Sequence, residues 1–363
     1  MKLLYDDIIF RLQKVGGISN VFSHLISFAK MDKSIDLSYV STTKRSINNF
    51  YWSKLNIPQP KVIKNISKNI LQFVSFIKLD VESPTIYHAT YYNFPLKKQN
   101  IIYLITIHDL GYERGIMQKG LRRYINIFFK RLAIINADGI ICVSKCTFDD
   151  LLFYYGKHLK NKQITVIHNG ISNNFKNLGS KSSISSKNVI FVGGRQKYKN
   201  FEDLVKAISY SEEFNLVILG GGDLSEYHLN FMKNIIPNRF AIYKDISEQK
   251  LNYFYNNSFC LVYPSSYEGF GLPILESMAA GCPVITCSNS SIVEVSGGNA
   301  ILIPNSNPEN IFNSLIQLKD FEFRTNLILK GIEHSKNFNW NITFKKTKEF
   351  YMKMINLKQN KNI

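Results

Sequence analysis

Short apolar runs alternate with helix-spaced stretches along almost the whole chain. In the first half, Lys2–Tyr5, Leu37–Ser41, Thr85–His88, Ile101–Ile107, Gly139–Val143 and Thr165–Ile167 predict strands. Between them, Val21–Ala29, Arg122–Asn136 and Thr147–Tyr155 carry apolar residues at helical period and predict helices. The pattern restarts with strands at Val189–Val192, Asn215–Leu219, Phe240–Tyr243, Cys260–Tyr263 and Pro283–Thr286. Helices are expected at Phe201–Ser209, Glu248–Asn256, around Glu276, and at Pro308–Leu318. Strands without polar alternation suit a parallel sheet buried on both faces. The expected fold class is therefore α/β, with two doubly wound Rossmann-like domains.

The polar stretch Ser172–Lys187 reads as the link between them. We expect domains at 1–178 and 179–340. Residues 341–363 would form an amphipathic helix at Ile342–Ile355 and a frayed tail after Leu357. Ligands of open α/β sheets bind outside the C-terminal ends of the strands. Motifs at strand exits therefore carry the functional reading.

The segment from Tyr267 to Gly281 is the richest of these. Glu268 and Glu276 flank a loop that turns into a helix. Gly269 and Gly271 permit a tight backbone, and Pro273 suits the first helical turn. Gly281 stops the helix. The amides near Phe270, Gly271 and Leu272 form an anion site at a helix start. Two carboxylates beside it suit a ligand with both phosphate and hydroxyls. Read alone, the segment also fits a capped surface helix.

Three other exits add chemistry. Gly16-Gly17 precedes the first long helix and lets backbone approach a phosphate. His108 projects from the end of the apolar strand Ile101–Ile107. Gly193-Gly194-Arg195 with Lys199-Asn200 places cations where a diphosphate could be neutralised. Gly220-Gly221-Gly222 is a further glycine-rich exit, without the Lys-Ser/Thr of a Walker A motif. Neither half carries a full dinucleotide fingerprint at its first strand, which disfavours a nicotinamide enzyme.

Composition narrows the class. The 363 residues are 45% hydrophobic and 13% aromatic, which excludes a disordered chain. No apolar run approaches the roughly 20 residues of a membrane span, and the first residues do not read as a secretory leader. A cytoplasmic location is expected. The five cysteines lack zinc-site spacing and read as buried thiols, so no metal is expected. Residues 1–178 hold 25 Lys and Arg against 11 Asp and Glu, while the remainder holds 20 against 16. The basic excess in the first half points to an anionic partner.

Taken together, these pieces resemble the family-4 glycosyltransferases of the GT-B fold. The carrying residues are Gly16-Gly17-Ile18, His108-Asp109-Leu110, Ile167–Ile171, Gly194-Arg195 with Lys199-Asn200, and Glu268–Glu276 followed by Gly281–Ile285. They recur in family order along nearly the whole chain. The runs Tyr87–Tyr92 and His108–Glu113 are most similar to bacterial enzymes building O-antigen or capsule.

The resemblance implies two domains facing across a cleft, with the C-terminal helix returning to the first. It implies a retaining hexosyltransferase that needs no metal and no cofactor beyond its nucleotide-sugar donor. GDP-mannose is the favoured donor and UDP-sugars stay open. Arg195 and Lys199 would clamp the diphosphate, and the backbone at Phe270, Gly271 and Leu272 would hold phosphate or sugar. Glu276 would bind the ribose and Glu268 the donor-sugar hydroxyls. His108 would reach the donor sugar, and Gly16 and Gly17 the diphosphate. Glu268 is read as a positioning and electrostatic group, not a nucleophile. One departure from the family is Gly193-Gly194, where relatives often place Ser or another residue before the arginine.

A lipid-linked oligosaccharide acceptor would fall to the basic first domain. Lys119–Arg131 mixes cations with apolar residues at helical spacing and suggests peripheral contact with the inner face of an anionic membrane. Two other readings stay open: a nucleotide-sugar epimerase, or a sugar-phosphate glycosyl synthase of the same fold. A nucleic-acid-binding module is the remote alternative. It lacks any recognition signature, so no nucleic-acid partner is expected.

Overall fold

A computed structural model describes residues 1–41, 47–57, 61–62, 76–77, 81, 83–95, 100–117, 120–179 and 187–360. The chain divides into two compact units: Met1–Asn169 with Trp340–Ile363, and Gly170–Asn339.

The first unit is a parallel sheet with helices on both faces. Its strands are β1 (Lys2–Asp6), β2 (Asp36–Ser41), β3 (Lys61–Val62), β5 (Thr85–Ala89), β7 (Ile101–Ile107), β8 (Gly139–Cys142) and β9 (Gln163–Val166), ordered β3-β2-β1-β5-β7-β8-β9. Two short strands, β4 (Phe76–Ile77) and β6 (Phe94–Pro95), pair separately. The helices are α1 (Ile8–Leu12), α2 (Gly17–Met31), α3 (Phe50–Lys54), α4 (Leu121–Asn136) and α5 (Lys145–Tyr155). Successive strand residues serve opposite cores, as the pleat requires. Leu3, Tyr5 and Leu104 pack with Phe22 and Ile26 of α2, whereas Leu4, Tyr103 and Ile105 pack with Ala133 and Ile134 of α4. The strand order reverses between β1 and β5, which marks the binding end of a doubly wound sheet.

The second unit repeats the plan. Strands β10 (Asn188–Val192), β11 (Asn215–Leu219), β12 (Phe240–Tyr243), β13 (Cys260–Tyr263), β14 (Val284–Cys287) and β15 (Ile301–Ile303) lie in the order β12-β11-β10-β13-β14-β15, all parallel. Its reversal falls between β10 and β13. The helices are α6 (Phe201–Ser209), α7 (Glu226–Ile235), α8 (Glu248–Asn256), α9 (Leu272–Ala279), α10 (Ser290–Ser296), α11 (Pro308–Gln317) and α12 (Phe321–Ser335).

The boundary differs from the expected 178/179. Residues 170–178 belong to the second unit because α8 supplies their hydrogen bonds. Asn252 Oδ1 accepts from Lys176 N at 3.0 Å, and Asn256 Oδ1 accepts from Leu178 N at 2.7 Å. A polar composition reads as a link; at Lys176 and Leu178 the backbone amides are instead held by buried asparagines. Part of the expected linker, residues 180–186, lies outside the described residues.

The last helix, α13 (Trp340–Asn360), belongs to the first unit. It begins at Trp340 and continues past Leu357, so the expected frayed tail is helical as far as Asn360. Phe350, Tyr351 and Met354 complete the core behind α2. A buried polar chain fixes the register. Tyr351 Oη lies 2.9 Å from Tyr5 Oη and 2.6 Å from His88 Nδ1, and His88 Nε2 lies 2.8 Å from Thr106 Oγ1. Burial, reinforced by nearby His108, holds the His88 imidazole down to about 3. Tyr351→Phe strands two buried polar partners at once. It is expected to cost about 1–3 kcal/mol, read as an earlier unfolding transition of the full chain; an unchanged transition would count against this role.

Candidate functional site

The reversal point of the second sheet brings the acidic and basic motifs together. β10 runs out into Gly193, Gly194 and Arg195, then a 3-10 turn at Lys197–Lys199. β13 runs out into Pro264–Gly271. Lys199 Nζ donates to Glu268 Oε1 at 2.5 Å and to Tyr263 Oη at 3.0 Å. The lysine is buried at 8% exposure, with the rings of Tyr198 and Tyr263 about it. Lys199 is therefore paired with one of the two glutamates.

The backbone carrying Glu268 is held from three sides. Asn200, left-handed at φ 52°, donates from Nδ2 to Pro264 O at 2.8 Å. Ser266 N donates to Tyr198 O at 2.8 Å. At the start of α10, Ser290 Oγ accepts from Glu268 N at 3.0 Å, while Ser291 Oγ donates to Glu268 O at 2.8 Å and to Phe270 O at 3.0 Å. A loop with its main-chain groups so satisfied presents its side chain without further ordering cost, which is the geometry of a preorganised site.

Gly271 then takes φ 102° and caps α9. This left-handed turn is where glycine is needed; Gly269 has no positive φ. Leu272 and Pro273 open the helix, and Gly281 closes it at φ 75°. Glu276 stands on the second turn, partly exposed, with Tyr255 Oη donating to its Oε2 at 3.3 Å. Desolvation, reinforced by nearby Glu248 and opposed by the Tyr255 hydrogen bond, raises its carboxyl to about 8. Near neutral pH this group carries its proton and can both donate to and accept from a hydroxyl.

Arg195 is committed to main chain. Its Nη1 donates to Gly193 O at 3.1 Å and Gly220 O at 2.7 Å, and its Nη2 to Gly222 O at 2.8 Å. It thereby ties the exits of β10 and β11. Gly221 lies so close that a Cβ there would sit 2.1 Å from Gly193 O. The guanidinium is half-buried, and the three bonds to carbonyls occupy three of its five N–H donors.

In the first unit, Gly16, Gly17 and His108 share one end of the sheet. Gly16 is extended at φ −175°, a conformation open to any residue. A Cβ there would meet Gln13 Oε1 at 2.2 Å, the end of a side chain that can swing aside. Gly17 has open space about it. His108 packs edge-on against Phe22 of α2 at 5.9 Å. Burial holds its imidazole down to about 4, with Asp109 opposing and Lys130 reinforcing. It is neutral near pH 7, and its Nε2 has no hydrogen-bond partner among the described residues.

The basic helix is not as the sequence suggested. Lys130 is buried, donating to Glu113 Oε2 at 2.9 Å and Asp109 O at 3.0 Å. Tyr155 Oη donates to the other Glu113 oxygen at 2.8 Å. Arg123 is drawn to Tyr112 O at 2.8 Å. Lys119 and the side chain of Arg122 lie outside the described residues. What α4 exposes is apolar: Leu121, Tyr124, Ile125 and Phe128, one helical face, with Arg131 beyond. A buried ammonium finds a carboxylate because an unpaired charge inside a protein costs several kcal/mol (order of magnitude).

The model "Glycosyltransferase Family 4" matches residues 42–175, and "Glycosyl transferases group 1" matches residues 175–334. Among curated relatives, an O-antigen chain mannosyltransferase of Salmonella typhimurium is 24% identical over 63% of this chain and 63% of its own length. The chain belongs to the family-4 glycosyltransferases. An uncharacterised glycosyltransferase of Methanocaldococcus jannaschii is 29% identical over 94% of this chain and 95% of its own. Among solved structures, sucrose-phosphate synthase from Thermosynechococcus elongatus superposes with TM-score 0.75 at 17% identity, covering 98% of this chain and 100% of that one. Anabaena HepE in complex with UDP-glucose gives 0.74 at 14%, covering 97% and 100%. The fold is thus GT-B.

Sequence reading of this glycosyltransferase missed Tyr263, Tyr255, Ser290 and Ser291. Each lies outside a recognisable motif, and only the sheet register and the placement of α10 bring them to the glutamates. The raised Glu276 carboxyl has a measurable consequence. The native group keeps its proton up to about pH 8, while the unfolded one loses it near the ordinary glutamate value of 4.5. In that window the native state binds more protons, so rising pH works against folding. Thermal unfolding from pH 5 to pH 9 is expected to favour Glu276→Gln increasingly over the unaltered chain. A pH-independent difference would contradict a protonated Glu276.

Proposed function

We propose that this glycosyltransferase moves a hexose from a nucleotide sugar to a lipid-linked surface polysaccharide, with retention of configuration and without a metal. The observation that carries the donor reading is the meeting of Lys199 and Glu268 where the second sheet reverses, with Arg195 on the same strand exit as Lys199 and Glu276 on the helix that follows Glu268. Lys199 and Arg195 supply positive charge for a diphosphate and for the charge that develops as it leaves. The start of α9 at Phe270–Leu272 adds amides for phosphate or sugar. Glu276 takes the ribose hydroxyls, and Glu268 lies where the hydroxyls of the donor sugar would be gripped. To His108, Gly16 and Gly17 we assign contacts with the donor sugar and its phosphates, supported by their shared sheet end and by the neutral His108, whose buried Nε2 has no hydrogen-bond partner among the described residues.

GDP-mannose is our favoured donor, with UDP-sugars second. Mannose is supported by the Salmonella typhimurium and Escherichia coli O-antigen mannosyltransferases among the relatives. UDP is supported by the UDP-glucose complex of Anabaena HepE. A thermal-shift panel of nucleotides and nucleotide sugars tests this, because selective binding stabilises the folded state. One nucleotide-sugar series is expected to raise the unfolding temperature; no response from any member would remove the reading. Within the responding series, Glu276→Ala should chiefly weaken nucleotide binding and Glu268→Ala should chiefly lower turnover. Equal loss of folding in both variants is the contrary result.

We further assign the exposed face of α4 to peripheral contact with an anionic membrane, where a lipid-linked acceptor resides. The support is the apolar face Leu121, Tyr124, Ile125 and Phe128 in the more basic part of the chain. Among the described residues no helix is long and apolar enough to cross a membrane. The chain carrying Tyr124→Ser and Phe128→Ser is expected to float less with phosphatidylglycerol vesicles than the unaltered chain. Equal flotation would exclude α4 as the contact.

A further inference from the structure

In the proposed function Glu268 serves the sugar and Lys199 the phosphates. Here they hold each other at 2.5 Å, and a third residue joins them. Tyr263 is the last residue of β13 and is 3% exposed. Its hydroxyl accepts from Lys199 Nζ at 3.0 Å, and its ring centroid lies 5.0 Å from the same ammonium. The tyrosine is anchored in a central strand paired on both sides, while Glu268 reaches the ammonium from a loop. An arriving diphosphate needs that ammonium, and Glu268 already has it.

We propose that Tyr263 is a positioning residue that holds the Lys199 ammonium in place while it passes from Glu268 to the donor diphosphate. This rests on the assignment of Lys199 and Glu268 to the donor site. Two consequences follow from the geometry. Glu268 and the diphosphate compete for one cation, so the ligand-free ion pair weakens binding. Release of Lys199 also frees the Glu268 carboxylate for sugar hydroxyls, which couples arrival of the phosphates to readiness of the glutamate. Tyr263 keeps the ammonium ordered during the exchange, so the ligand does not bear that ordering cost.

Calorimetric titration of the full chain with UDP and with GDP tests this. Glu268→Gln is expected to bind the preferred nucleotide at least about three- to tenfold more tightly, because the largely buried Lys199 ammonium then has no competing carboxylate. Glu268→Asp keeps the charge but withdraws it by a methylene, and should also tighten binding. Adding Tyr263→Phe to the Glu268→Gln chain is expected to give back most of the gain, with the unfolding temperature little changed. A Glu268→Gln chain that binds no more tightly overturns the proposal, as does a double variant that keeps the full gain. Lys199→Met separates the two levels. If it leaves nucleotide binding intact, the donor-site assignment itself has failed. If it abolishes binding while Glu268→Gln shows no gain, the competition alone is wrong.

Discussion

The ion pair between Lys199 and Glu268 depends on the strand order more than on either residue. The two are 69 positions apart and meet because β10 and β13 are adjacent where the second sheet reverses. Every other feature of that site serves this meeting. Asn200 and Ser266 bind the two loops together, Ser290 and Ser291 hold the glutamate's backbone, and Tyr263 supports the ammonium from the strand. Removing the register between β10 and β13 would scatter all of them. Placing a charge pair at such a point is costly unless both ions are well solvated by fixed dipoles. A dense mesh of main-chain hydrogen bonds is what that constraint demands.

The two glutamates show how surroundings divide one residue type between two tasks. Glu268 faces a cation at 2.5 Å. Glu276, eight residues on, faces a tyrosine hydroxyl and the field of Glu248, and holds its proton to about 8. Placement alone gives Glu268 a cation partner and gives Glu276 a protonated carboxyl suited to hydroxyls. His108 in the first unit is likewise neutral, through burial and the nearby Lys130.

The strands were the most legible part of the chain, because parallel strands buried on both faces leave continuous apolar runs. Helices that lie on the surface were less so. α12, with Phe321 and Leu329 exposed, and the seven-residue α10 carry weak periodicity, and the sequence reading did not name them. The glutamate segment could be read because glycine and proline fix its turn chemistry. Pairwise facts could not. That Lys199 meets Glu268, that Lys130 is buried against Glu113, and that Asn252 and Asn256 hold residues 176–178 are contacts between distant positions. Helical spacing grouped Lys130 with the cations expected to face a membrane; its long apolar stem and the carboxylate of Glu113 place it inside.

The central claim is that the reversal point of the second sheet receives the diphosphate of a nucleotide-sugar donor. A crystal structure of the full chain with bound UDP or GDP tests it most directly. The account predicts a β-phosphate oxygen within about 3 Å of Lys199 Nζ, a ribose hydroxyl on Glu276, and the Lys199–Glu268 contact opened. A nucleotide bound elsewhere, or bound with Lys199 still closed on Glu268, would contradict it.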